Sequence, residues 1–157
     1  MLNVNVVIIC LMFVIAGCGR TNRRNINRDF TLDAKTFDAE SLKMISERTG
    51  IAFPKGSRGL NMFNKGRPNG PSFIRPSFVA RIEIPASSSQ AFLTEIGQIP
   101  THDMGVIHPL AESVNWWKPS SASIRLERQD GDMKRYIHAV ICNENEKWIL
   151  YLEWTPI

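Results

Sequence analysis

Ser123-Ile124-Arg125-Leu126-Glu127-Arg128, Arg135-Tyr136-Ile137-His138-Ala139-Val140-Ile141-Cys142 and Lys147-Trp148-Ile149-Leu150-Tyr151-Leu152-Glu153-Trp154 follow one another at the end of the chain. Their alternation decides the fold. Successive side chains of a strand point to opposite faces. The first stretch therefore puts Ile124 and Leu126 on one side and Arg125 and Glu127 on the other. In the last, Trp148, Leu150, Leu152 and Trp154 share a face. Gln129-Asp130-Gly131-Asp132 and Asn143-Glu144-Asn145-Glu146 are rich in the residues that close hairpins. The expectation is a three-stranded antiparallel meander.

Upstream, residues 78–84 alternate as cleanly, with Phe78, Ala80, Ile82 and Ile84 against Val79, Arg81 and Glu83, and predict a fourth, half-buried strand. Pro85 ends it. Ser87 and Gln90 have the spacing of a capping box, and Phe92, Leu93 and Ile96 form the buried stripe of a helix ending near Gly97. An earlier helix should start at Asp38, whose carboxylate can accept from the free amides of the first turn. It presents Ala39, Leu42 and Ile45 on one face and stops at Gly50. Residues 60–63 read as a short strand, residues 64–71 as an exposed loop dense in turn formers, and residues 99–121 as irregular, punctuated by Pro100, Gly105, Pro109 and Pro119. The predicted fold class is α+β: an antiparallel sheet of about four strands with two helices packed on one face.

At the other end, residues 6–17 are uncharged and apolar. As a helix they reach about 18 Å, short of the roughly 30 Å hydrocarbon core, which suits a secretory leader better than a membrane span. Ile15-Ala16-Gly17-Cys18 closes the run: an aliphatic residue, two small residues and a cysteine. This stretch resembles the lipobox of bacterial lipoproteins, although residues 1–5 contain no Lys or Arg. The resemblance covers the first 18 residues. It implies cleavage before Cys18, diacylglycerol on the Cys18 thiol and lipid anchoring at the cell membrane. Gly19 in place of Asp points to the outer membrane, facing the periplasm, if the host is Gram-negative. Acyl chains contribute about 0.8 kcal/mol per buried methylene, so two or three of them hold a protein durably.

On that reading the chain divides into a leader, residues 1–17; a lipidated Cys18 with a basic flexible tether, residues 18–36; and one α+β domain, residues 37–157. Residues 18–35 carry five basic side chains against two acidic ones, which leaves the body near neutral although the whole chain has a formal charge of +4. The pI near 9.2 is thus a property of the tether and does not indicate a nucleic-acid partner. Basic residues beside a lipidated cysteine suit acidic headgroups. With Cys18 acylated, Cys142 has no intramolecular partner and is expected to be a small buried hydrophobe.

Candidate chemistry is sparse. His102, Asp103 and His108 are clustered metal-type side chains, but their spacing matches no zinc pattern, and a further ligand would have to come from elsewhere. His138 and Cys142 lie about 13 Å apart along a strand, too far for a nucleophile and its base. There is no Gly-x-Ser-x-Gly elbow, no Ser-x-x-Lys pair and no phosphate loop, so no catalytic residue and no cofactor are expected. Trp116-Trp117 in a Pro-flanked stretch cannot both point inward if extended, and exposed Trp suits protein hot spots and sugar stacking. Arg58, Arg67, Trp116, Trp117 and Lys118 are the candidate binding residues. The expected function is a lipid-anchored envelope protein acting as a non-catalytic binding module of inhibitory or immunity type, although no motif of those families is matched. An envelope protein or peptidoglycan is its natural partner. The alternative is a metal-assisted envelope hydrolase using His102, Asp103 and His108.

Overall fold

Two alternating series, Phe78-Ala80-Ile82-Ile84 and Trp148-Leu150-Leu152-Trp154, have the same period, so two strands can bury them together. In the computed structural model, which describes residues 25–67, 76–101, 110–131 and 135–156, they meet rung for rung. Phe78 pairs with Trp154, Ala80 with Leu152, Ile82 with Leu150 and Ile84 with Trp148. The elements run β1 (Phe30–Asp33), α1 (Ala39–Thr49), β2 (Arg58–Lys65), β3 (Ser77–Ile84), α2 (Ser89–Gly97), β4 (Ile124–Gly131), β5 (Arg135–Glu144) and β6 (Lys147–Pro156). They form a mixed α and β fold around one antiparallel sheet ordered β1-β2-β3-β6-β5-β4.

The sheet therefore has six strands where about four were expected. β1 falls inside residues 18–36, the stretch read as a tether. Thr31 pairs with Phe63 and Leu32 with Met62, and the Asn64 side-chain amide donates to the carbonyls of Ile26 and Arg28 at 2.9 and 3.0 Å. Residues 25–36 are thus bound into the body. β2 extends past residues 60–63 at both ends, taking in Asn64 and Lys65 from the stretch read as a loop, and a bulge at Leu60 breaks the alternation that would have shown its length. Gly59 is required there: an added Cβ would lie 2.1 Å from the Phe37 ring, which packs flat on the strand.

Both helices cover one face. Ile45 of α1 and Phe92 and Ile96 of α2 join the sheet residues Leu32, Met62, Ile82, Ile137, Ile141 and Leu150 in one core. The α1 start is as expected, since the Asp38 carboxylate accepts from the Ser41 amide, and Gly50 closes the helix at φ 75°, its amide donating to the Ser46 carbonyl. Its buried residues, however, are Ser41, Ile45 and Thr49, while Ala39 is exposed. The capping box at Ser87 does not form. Residues Ala86–Ser88 make a 3₁₀ turn, and Ser89 Oγ donates back to the Ala86 carbonyl at 2.9 Å. Two arginines from the far strands finish the helices: Arg135 Nη1 donates to the Thr49 carbonyl at 3.0 Å and Arg128 Nε to Gly97 at 3.3 Å. Cations suit the negative ends of helix dipoles.

The hairpin between β4 and β5 also differs from expectation. Gln129, Asp130 and Gly131 pair with His138, Ile137 and Tyr136, so they continue the strand rather than turn. A bulge between Ile124 and Leu126 rotates them apart. Leu126 packs against the helix-side core, and Ile124 joins Val140, Cys142, Ile149 and Tyr151 on the opposite face.

Candidate functional site

That opposite face distinguishes the molecule. On β6 the residues alternating with the apolar series are Ile149, Tyr151 and Glu153, all buried, so something must cover them. The cover is a strap, residues 110–123. It begins with a 3₁₀ turn, Leu110–Ser113, over β3 and β6, and ends where the Ser123 carbonyl accepts from the Asn143 amide at 2.9 Å. Between these points Trp117 lies edge-on to Tyr151, with centroids 5.5 Å apart, and tilted on His138 at 5.8 Å.

A polar network surrounds the strap. Arg81 Nη2 and the Tyr151 hydroxyl both donate to Glu144, at 2.9 and 2.8 Å, and the Arg81 guanidinium sits 5.5 Å from the Tyr151 ring centroid. His138 Nε2 lies 2.8 Å from Glu127 Oε1. Burial, reinforced by the bond to Glu144, pushes the Tyr151 hydroxyl up to about 12. Burial also raises the Cys142 thiol, the opposite of what a nucleophile needs. Cys142 is fully buried and free, in line with its reading as a small hydrophobe.

The most buried carboxyl among the described residues is that of Glu153, 1 % exposed. Its Oε1 accepts the Leu110 amide, the Ala111 amide bonds it as well, and its Oε2 has no partner among the described residues. Desolvation holds its carboxyl at about 7 against an ordinary 4.5, despite the opposing pull of the two amides. Tyr136, on the same face, is pushed up to about 12 by burial and by the Glu153 charge.

The expected binding residues are only partly brought together. Trp116 and Trp117 are both half-buried on the strap, and Lys118 beside them is exposed. Leu60 packs on the same cluster as Trp117, which places Arg58 near that end. Arg58 is exposed and paired in register with Glu83. Arg67 follows the other end of β2, its amide donating to Asn27 at 3.1 Å. An eight-residue strand spans about 26 Å, so Arg67 does not share a site with Trp117. Cys18, His102, Asp103 and His108 lie outside the described residues, and among those described no three metal-type side chains cluster. A cavity of about 280 Å³ lies by the C-terminal ends of both helices, with Glu95, Asp130 and Arg135 among its lining residues.

Glu153, Tyr151, Arg81 and Glu144 are absent from the sequence-derived site. One signal could have found them: Trp148-Ile149-Leu150-Tyr151-Leu152 is an unbroken apolar run, the mark of a strand covered on both faces. A carboxylate following such a run is a buried one. No family model matches this chain, and no curated protein or solved structure matches it either.

Proposed function

We propose that the protein is a lipid-anchored, non-catalytic binding module of the bacterial cell envelope, of inhibitory or immunity type, on the outer membrane facing the periplasm if its host is Gram-negative. The observation that carries the reading is Ile15-Ala16-Gly17-Cys18 behind twelve uncharged apolar residues. No helix of the described residues is long and apolar enough to cross a membrane. The anchor in this reading is the lipid on Cys18, and it rests on the lipobox-like stretch alone. The half-buried Trp116 and Trp117 with the exposed Lys118 suit contact with an envelope protein or peptidoglycan, since Trp combines large apolar area with a polar edge. Arg58 extends that surface.

Radioactive palmitate should label the wild-type chain in cells and leave Cys18→Ser unlabelled; label persisting in Cys18→Ser overturns the anchor. For the surface, detergent-solubilised envelope is passed over immobilised wild type and over Trp116→Ala/Lys118→Glu. A partner held by the first and lost by the second supports the strap as contact surface. Equal retention by both removes it.

A further inference from the structure

Glu153 has a peculiar roof. Beneath it, Val79 on β3 and His138 on β5 flank it in register. Above it, among the described residues, the groups that hydrogen-bond it are the amides of Leu110 and Ala111, the first two residues of the strap's 3₁₀ turn. The first amides of a helical turn have no acceptor within the turn, and the carboxylate supplies one. It does so with one oxygen satisfied and the other buried without a partner among the described residues. A buried anion with unmet acceptor capacity is costly, whereas the neutral acid is far less so. Lifting the turn would admit water to the carboxylate.

We propose that the strap, residues 110–123, is a cover set by the ionisation of Glu153, closed over the neutral carboxyl and released by the carboxylate. The direction follows from linkage. With the strap closed the carboxyl titrates near 7; with the strap lifted and the group in water it returns toward 4.5. The closed form binds the proton more tightly, so the ratio of open to closed strap rises with pH between those values. The rise approaches tenfold per pH unit and totals roughly 300-fold, with little change below 4.5 or above 7. Among the described residues, the titratable and charged groups around Glu153 on this face are Glu112 on the strap, Tyr136 and His138 on β5, Arg81 on β3 and Tyr151 on β6 itself. Glu112 and Glu153 repel and reinforce the effect. Arg81 is held by Glu144. The tyrosines titrate far above the window. His138 contacts Glu127 at 2.8 Å and is the control position. Such a cover operates whatever the strap binds.

The test is amide hydrogen exchange on the full-length protein in detergent micelles between pH 5 and 8, expressed as protection so that base catalysis of exchange cancels. Protection at Leu110 and Ala111 should fall by about two orders of magnitude. Glu153→Gln should flatten that profile, and His138→Gln should keep it. The proposal is overturned by flat wild-type protection, by an unchanged slope in Glu153→Gln, or by a slope lost only in His138→Gln. A measurement on the unmutated chain guards against a variant that fails to fold. With 5-fluorotryptophan and ¹³C-glutamate, the Trp117 fluorine signal and the Glu153 carboxyl carbon should share one midpoint near 7. A Glu153 carbon titrating near its ordinary 4.5, or a Trp117 signal that ignores its titration, would sink the idea.

Discussion

The two faces of the sheet are built from the same strands yet obey different rules. The face under α1 and α2 is dry: Phe78, Ala80, Ile82, Leu150 and Leu152 are fully buried there. The strapped face buries Glu153 and carries Arg81, Glu144 and His138 around Tyr151. The cause is the cover. A helix satisfies its own backbone along most of its length, so a sheet beneath it needs only apolar surface. An irregular strap brings unpaired amides with it, and the sheet must offer acceptors. Glu153 is the acceptor for Leu110 and Ala111, and the cost is a carboxylate in an apolar site.

Truncation on the dry face has the largest expected effect. Leu150→Ala removes a side chain with no solvent exposure and should cost about 3–4 kcal/mol in urea unfolding, because the close-packed surroundings collapse only partly into the cavity. A loss below about 1.5 kcal/mol would show that this face is loosely packed and would break the contrast. Second comes the pH dependence of the strapped face. A carboxyl raised to about 7 when folded contributes stability that is complete below the unfolded value near 4.5 and lost as pH rises through 7. From pH 5 to 8 the protein should therefore lose up to about 3 kcal/mol, with the urea midpoint moving down. Glu153→Gln should remove that decline. Asp29 and Asp33 act in the opposite sense and in another window. Both are lowered, Asp29 chiefly by the Gly66 amide and Asp33 by Thr36, so their contribution fades only as pH falls below about 4. Stability rising from pH 5 to 8 would contradict the assignment.

Tyr151→Phe should cost less, about 1–2 kcal/mol, because it deletes one hydrogen bond to the charged Glu144 while Arg81 still pairs with it. A cost near zero would mean that the network only fills space.

The same contrast explains what could be read from the chain. Where a face is dry, alternation is strict: β3 and β6 were legible because Ile82 and Leu150 fall on the period. So was α1, from Asp38 to Gly50. β1 was not, since Leu32 is the only buried residue of its four. The bulges at Leu60 and beside Ile124 shift residues to the other face without any change in composition. For the site, residues 99–121 read only as irregular, with Trp116-Trp117 as candidate contact residues, and nothing in that stretch named the sheet face that the strap covers. Its acceptor Glu153 stayed hidden because a glutamate at an alternating position reads as solvent-facing, although the apolar run Trp148 to Leu152 before it marks a strand covered on both faces.

The smallest effect sharpens the contrast from the wet side. Lys147 and Glu83 form an ion pair at 3.5 Å on the rim of the strapped face, with the Lys147 side chain 60 % exposed. In solvent the Coulomb gain is screened and ordering a long lysine offsets most of it, so such pairs contribute about 0–0.5 kcal/mol. Lys147→Ala should hardly move the urea midpoint, and raising the salt concentration should change wild type and variant alike. The pair has the same chemistry as Arg81–Glu144, which closes to 2.9 Å with side chains 29 % and 19 % exposed. If Lys147→Ala cost as much as Tyr151→Phe, depth beneath the cover would no longer explain which polar contacts on this face hold the fold together. Net charge would have to replace it.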